Sequence, residues 1–315
     1  MNNKKIISCF LIFFTCYINL AQTTAVPDSN FENYLETHTI DGTIVSVGDV
    51  ASMGDGIAEN GIILKARIGD VTFLDVRGLG ISDLTGIEDF TVLETLICSN
   101  NNLSALNISD NINLESLLCS TNNISELILN ENINLETLDC SDNQIQSLDI
   151  LNNSVLTSLT VSGNQLLSLD VSNNSDLTFL SVSDNRISGE FIVSNNIYLE
   201  SLFCSSNQIS TLNLLSNTFL KNLDASDNVL VSLDLSAMNA EVCPEPQTEP
   251  VTKCQGLSTV NVSRNQLNLL IAANGYNELF SIFNFSRSSV SDLVLLTGSE
   301  ISKFLIISLT SSGNE

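Results

Sequence analysis

LETLDCSDNQIQSLDILNNSV, residues Leu135 to Val155, is one phrase written twice. LETLDCSDNQ is followed by IQSLDILNNSV, and both read Φ-x-x-L-D-Φ-x-x-N, with Φ apolar. The pair recurs on both sides every 21 residues, with units starting at Leu93, Leu114, Leu135, Leu156, Leu177, Leu199, Leu220 and Leu257 and one residue added near Gly189. A first unit starts at Val71 and a worn last one near Phe280. Counting from each start, positions 0, 3, 5, 10, 13 and 15 are apolar. Positions 3 and 5 alternate with polar neighbours, which is the strand period of two, and positions 13 and 15 do so again. The pattern therefore predicts two short strands per rung. A ten-residue half cannot bury its own apolar side. Stacked on copies of itself at ~4.8 Å it can, because parallel strands then share one covered core. The expected fold is a β-rich solenoid with a small N-terminal α/β cap.

The asparagines fit that geometry. Asn101, Asn122, Asn143, Asn164, Asn185, Asn207, Asn228 and Asn265 all stand at position 8, and Asn111, Asn132, Asn153, Asn174 and Asn217 at position 18. An amide at a turn bonds backbone groups of its own rung and the next, so these residues are read as a structural ladder. Cys98, Cys119, Cys140 and Cys204 occupy position 5, where other rungs carry Val161, Val182, Ala225 and Val262. They are expected inside, as small hydrophobes with free thiols.

The pattern L-x-x-L-x-Φ-x-x-N-x-L resembles the leucine-rich repeat signature. Its nested form resembles the 21-residue bacterial class. LDVRGLGISDLTGIEDFTVL (Leu74 to Leu93) is similar to an internalin-type repeat, and VPDSNFENYL to the cap that precedes such repeats in secreted bacterial proteins. The resemblance spans about Val26 to Leu295. It implies a leucine-rich repeat solenoid and a secreted or surface-displayed interaction module.

The first 21 residues carry a basic start, Lys4 and Lys5, and an apolar stretch from Ile6 to Leu20. That stretch is shorter than the roughly 20 residues a membrane span needs, so it reads as a secretory signal peptide, with no membrane insertion after cleavage. The formal charge is −25, and no Lys or Arg lies between Arg77 and Arg186. Phosphate backbones and anionic membranes both require cations, so nucleic acid is excluded as a partner of the repeats. Residues 22–70 are read as the cap, with Ser29 and Glu32 at capping-box spacing and Phe31, Tyr34 and Leu35 on one helix face. Residues 71–236 are repeats, 237–256 a Pro-rich insertion, and 257–315 the last repeats and C-terminus. Cys243 and Cys254 flank the insertion and are expected to form a disulfide in an exported chain. The ISKFLIISL run is expected to be an exposed edge.

No catalytic arrangement is legible. His38 is the only histidine, and GLGISDLTG lacks the glycine a dinucleotide loop needs. Asp149 and Asp170, at position 14 of neighbouring rungs, have the spacing of paired carboxylates, but D-Φ-S is the default wording of the repeat. No enzyme activity, cofactor or metal is expected. The outward residues of the first sheet are expected at positions 2, 4 and 6. Ile97, Leu118, Phe179 and Phe203 are apolar there, with Asp139 and Asp224 beside them on a surface of serines. These six are the candidate partner-binding residues, since a partner would cover the apolar ones. The functional expectation is a monomeric, non-catalytic protein-interaction module that engages another cell or a host. The alternatives are glycan binding, on Phe179, Phe203 and Asp224, and a structural or ice- or mineral-lattice role on the serine column.

Overall fold

The computed structural model describes residues 23–238 and 257–267, and the backbone of three later strands. Residues 1–22, which hold the expected signal peptide, and Cys243 and Cys254 of the Pro-rich insertion lie outside the described residues. The chain divides into two compact units, one up to Asn132 and one from Ile133 onward.

The first unit holds β1 (Thr23–Ala25), α1 (Ser29–Thr37), β2 (Ile62–Leu64), α2 (Lys65–Ile68), β3 (Phe73–Asp75), β4 (Thr95–Ile97) and β5 (Ser116–Leu118). β1 pairs antiparallel with β2, while β3, β4 and β5 run parallel in register. The cap of α1 differs from the expected Ser29–Glu32 box. Asp28 is the N-cap, accepting from the N–H groups of Asn30 and Phe31 at 3.0 and 3.1 Å. Glu32 turns away and accepts from Asn60 N and Gly61 N at 2.8 and 2.9 Å. Glu36, one turn later, accepts from Asp55 N and Gly56 N. Two buried carboxylates thus hold the loop that closes the cap, because buried N–H groups need acceptors. Phe31 and Leu35 share the buried face. Tyr34 does not; helical spacing turns it aside, and its ring stacks on His38 with centroids 4.0 Å apart.

Cap and first rungs are stitched together. Asp28 Oδ2 accepts from the N–H and hydroxyl of Ser82, Lys65 pairs with Asp89 at 2.7 Å, and the Phe31 and Phe90 rings lie 6.4 Å apart. At Gly86, with φ of +104°, a Cβ would come within 2.7 Å of the Ala25 carbonyl oxygen, so only glycine lets β1 approach this closely.

The second unit continues with β6 (Thr137–Asp139), β7 (Ser158–Thr160), β8 (Phe179–Ser181), β9 (Ser188–Ile192), β10 (Ser201–Phe203), β11 (Gln208–Asn213), β12 (Asn222–Asp224), β13 (Ser232–Asp234), β14 (Thr259–Asn261), β15 (Leu269–Ala272), β16 (Leu293–Thr297) and β17 (Phe304–Ile307). β6, β7, β8, β10, β12 and β14 form the first sheet, parallel and in register, with a buried Leu or Val at each centre. On the second side β9 pairs with β11 in parallel, with a register shift between Ile209 and Thr211 that leaves Ser210 of β11 outside the pairing. β13, β15 and β16 run parallel, and β17 returns antiparallel. β17 carries Phe304–Ile307 of the ISKFLIISL run; Ile301–Lys303 and Ser308–Leu309 lie outside the described residues.

The expectation of two strands in every rung is corrected. The rungs that start at Leu93, Leu114, Leu135 and Leu156 have one three-residue strand each. Positions 13 and 15 are buried there as expected, for instance Leu106 and Ile108. The carbonyls that follow are engaged by side-chain amides: Asn174 Nδ2 donates to Ile150 O and Asn153 O at 3.0 and 2.8 Å. Asn111, Asn196 and Asn217 make the same pair of bonds. Asn196 therefore belongs to this column, although the inserted residue moves it to position 19.

At position 8 the amides do more. Asn185 Nδ2 reaches Val161 O, Val182 O and Ser183 O, and its Oδ1 accepts from Leu166 N at 3.0 Å. Position 7, just before it, is left-handed in rung after rung. Asn100, Thr121, Asp142, Asp184, Ser206, Asp227 and Arg264 all have φ between 52° and 58°. This turn reverses the chain after each strand. The four position-5 cysteines are buried free thiols, beside buried Val161, Val182, Ala225 and Val262 of the same column.

Candidate functional site

The outward face of the first sheet is shallower than alternation implied. Ile97, taken as exposed, is only 8% exposed. Its cross-strand neighbours are Asp75 on β3 and Leu118 on β5, and side chains that close cover one another. Ile97 is therefore packing rather than contact surface. Leu118, Phe179 and Phe203 are half-buried. Phe179 and Phe203 sit on the paired strands β8 and β10, with ring centroids 5.6 Å apart and planes tilted by 46°. They form one aromatic step on the face of the second unit.

The serines of position 6 are not a free lawn. Ser99, Ser226 and Ser263 are buried. Ser120 Oγ donates to Ser99 Oγ, and Ser205 Oγ to Ser183 Oγ, each at 3.0 Å. The chain bends back at the left-handed position 7, which draws these hydroxyls against the backbone. Asp139 and Asp224 serve the same turn. Each accepts from the N–H and hydroxyl of the serine two residues on, Ser141 and Ser226, and Asp224 Oδ2 also takes Asn261 Nδ2 at 3.2 Å. These carboxylates position the rung, and half of each faces outward.

Asp149, Asp170 and Asp234 behave alike at position 14, accepting from the N–H groups of Leu151, Ser172 and Ser236. The hydroxyl and N–H of Ser172 hold the Asp170 carboxyl below the usual range, so it stays charged and turn-bound. Among the described residues no three His, Cys, Asp or Glu side chains gather as a metal site, and no helix is long and apolar enough to cross a membrane. Burial pushes the Cys98 and Cys140 thiols up to about 12, and the charge of Asp139 adds to the second. Neither thiol is a nucleophile at physiological pH.

One feature had no signal in the repeat pattern. A cleft of about 290 Å³ lies in the first unit, where the cap meets β3. It is lined by the stacked Tyr34 and His38, by Ile40 and Ile44, and by Phe73 and Asp75. Phe73 is 52% exposed and Ile44 77% exposed. Phe73 lies 29 positions beyond Ile44 and 39 beyond Tyr34, and the cap residues stand outside the repeat, which is why periodicity could not find them.

No family model matches the chain, and no curated protein matches it by sequence. Solved structures do match. The functional domain of InlJ from Listeria monocytogenes, described as including a cysteine ladder, has 24% identity and a TM-score of 0.57. That match covers 88% of this chain and 61% of the InlJ domain, so this chain spans under two thirds of that length. Internalin C2 from the same species has 19% identity and a TM-score of 0.60, covering 77% of this chain and 98% of its own. The plant peptide hormone receptor RGFR1, solved in complex with RGF2, has 22% identity and a TM-score of 0.53, over 69% of this chain and 35% of its own. The fold is that of an internalin-like leucine-rich repeat solenoid.

Proposed function

We propose, with the leucine-rich repeat fold as premise, that this chain is a non-catalytic protein-interaction module, exported and either secreted or held at the cell surface. In this reading residues 22–70 cap the solenoid, and the repeats from 71 to 236 and from 257 onward display the binding surface. The observation that supports it most is the Phe179–Phe203 pair, half-exposed on a face otherwise surfaced by Ser, Thr, Asn and Asp. Aromatic residues on a rigid polar surface are the usual anchors of a protein contact. The carboxylates and hydroxyls around the pair are engaged in turns, which favours recognition over chemistry. Adhesion to another cell or a host is the finer proposal. Internalins C2 and InlJ share the fold, and RGFR1 was solved with a peptide, RGF2, on that fold.

The test is retention from a surface extract of neighbouring cells. Residues 22–315 serve as bait beside a Leu118→Asp, Phe203→Asp variant whose circular dichroism matches the parent. A protein retained by the parent and lost by the variant supports the reading. A protein retained equally by both overturns the assignment to the first sheet. Retention of no protein, with binding on a glycan array, overturns the protein-binding reading in favour of the glycan one.

A further inference from the structure

We propose that the cleft between the cap and the first repeat strand receives the basic side chain, arginine or lysine, of an extended segment of a partner protein. The size of the cleft sets the first limit. At about 290 Å³ it lies at the floor of the range for small-molecule sites, which suits one long side chain better than a nucleotide or a sugar chain. The walls set the second. Tyr34 and His38 offer a stacked aromatic surface, and Phe73 adds an exposed ring. Ile40 and Ile44, 50% and 77% exposed, provide aliphatic wall. A lysine or arginine side chain has this dual character, an apolar stem with a charged head that ring faces attract.

Charge selects the sign. Two carboxylates, Asp41 and Asp75, line the cleft, and no lysine or arginine does. Arg77 is bound to Asp75 through Nε and Nη2 at 2.7 to 2.9 Å and balances it. Among the described residues Asp41 has no ion pair. The Thr39 hydroxyl and the Thr43 N–H keep its carboxyl below the ordinary range, so it stays ionised. The chain as a whole has a formal charge of −25, which draws basic partners toward it.

The strand edge supplies the third argument, and it indicates a polypeptide rather than a free amine. All three residues of β3 line the cleft. Among the described residues β3 pairs with β4 alone. Its other edge presents backbone N–H and C=O groups to which an extended segment adds as a strand, with every second side chain pointing the same way. One such side chain would enter the cleft. The proposal is independent of the first-sheet reading, since Phe179 and Phe203 take no part.

The test is methyl NMR on the full mature chain with labelled isoleucines. The probes are acetyl-Val-Arg-Val-amide and its citrulline counterpart, which has nearly the same shape and no charge. The expected result is saturable movement of the Ile40 and Ile44 signals with the arginine peptide and at least tenfold weaker binding of the citrulline peptide. Phe73→Ser and Asp41→Asn should each weaken the arginine peptide severalfold with the other isoleucine signals unmoved, while Phe203→Asp leaves it unchanged. No saturable movement up to about 10 mM, weaker than a single-residue anchor is expected to bind, would overturn the proposal. Equal binding of both peptides would also overturn it, as would self-association of the free chain that Phe73→Ser abolishes.

Discussion

Replacing Asn185 and Asn174 by alanine, one at a time, tests the two ladders against each other. Burial alone ranks Asn174 as the costlier loss, because it is fully buried while Asn185 is 9% exposed. The hydrogen bonds rank them the other way. Asn185 Oδ1 is the acceptor for Leu166 N, so alanine leaves that buried N–H without a partner. The Asn185 amide also donates to Val161 O and Val182 O, but those oxygens keep Asn164 and Asn207 respectively. Asn174 Oδ1 has no partner among the described residues, and the amide's two acceptors, Ile150 O and Asn153 O, keep the N–H groups of Asn153 and Leu156. An orphaned buried N–H costs about 1–3 kcal/mol and each shared bond about 0.5–1. The expected losses are therefore roughly 3–4 kcal/mol for Asn185→Ala and about 1–2 for Asn174→Ala. Urea unfolding followed by far-ultraviolet circular dichroism measures both, with hydrogen exchange at Leu166 N locating the first. A solenoid can open locally, so the slope of the transition must be compared as well as its midpoint. Equal losses, or a larger one for Asn174, would refute the claim that satisfied bonds rather than depth determine which asparagines matter.

Thr121 is a β-branched residue at φ of +55°, exposed, in a turn that favours glycine or asparagine; Thr121→Gly should raise the unfolding free energy by about 1 kcal/mol in the same experiment. Asp28 caps α1 and binds Ser82. Burial raises its carboxyl, but the bonds from Ser82, Phe31 and Asn30 outweigh that and hold it below 3.8. A carboxyl lowered in the folded state contributes stability above its unfolded pKa and loses it as pH falls through the folded one. Thermal melts of Asp28→Asn should therefore lie below the parent at neutral pH, by about 1 kcal/mol, and converge with it below roughly pH 3.8. Cys98, Cys119, Cys140 and Cys204 should resist iodoacetamide at pH 8 in the native chain and react in urea, as mass spectrometry would show.

The 21-residue period by itself determined the parallel strands, the inward column of Cys98 and Cys140, and the bonding role of Asn185, because each depends on residues at fixed short spacing. The face a residue turns is local, and so is the need of a turn for an amide. What lies beside a side chain is not local. Ile97 is hidden by Asp75 and Leu118, each about twenty residues away, so alternation placed it outward and packing covered it. The spacing of Ser29 and Glu32 suited a capping box, yet Asp28 took the cap because the loop at Asn60 and Gly61 required the Glu32 carboxylate. Alternation did not decide the second ladder either: positions 13 and 15 are buried in the early rungs, as Leu106 and Ile108 are, without a strand forming there. The cleft beside β3 had no signature at all, since Tyr34, Ile44 and Phe73 meet only when the cap folds onto the first rung. Repetition specifies the rung, and the tertiary structure decides which of its outward groups remain free to meet a partner.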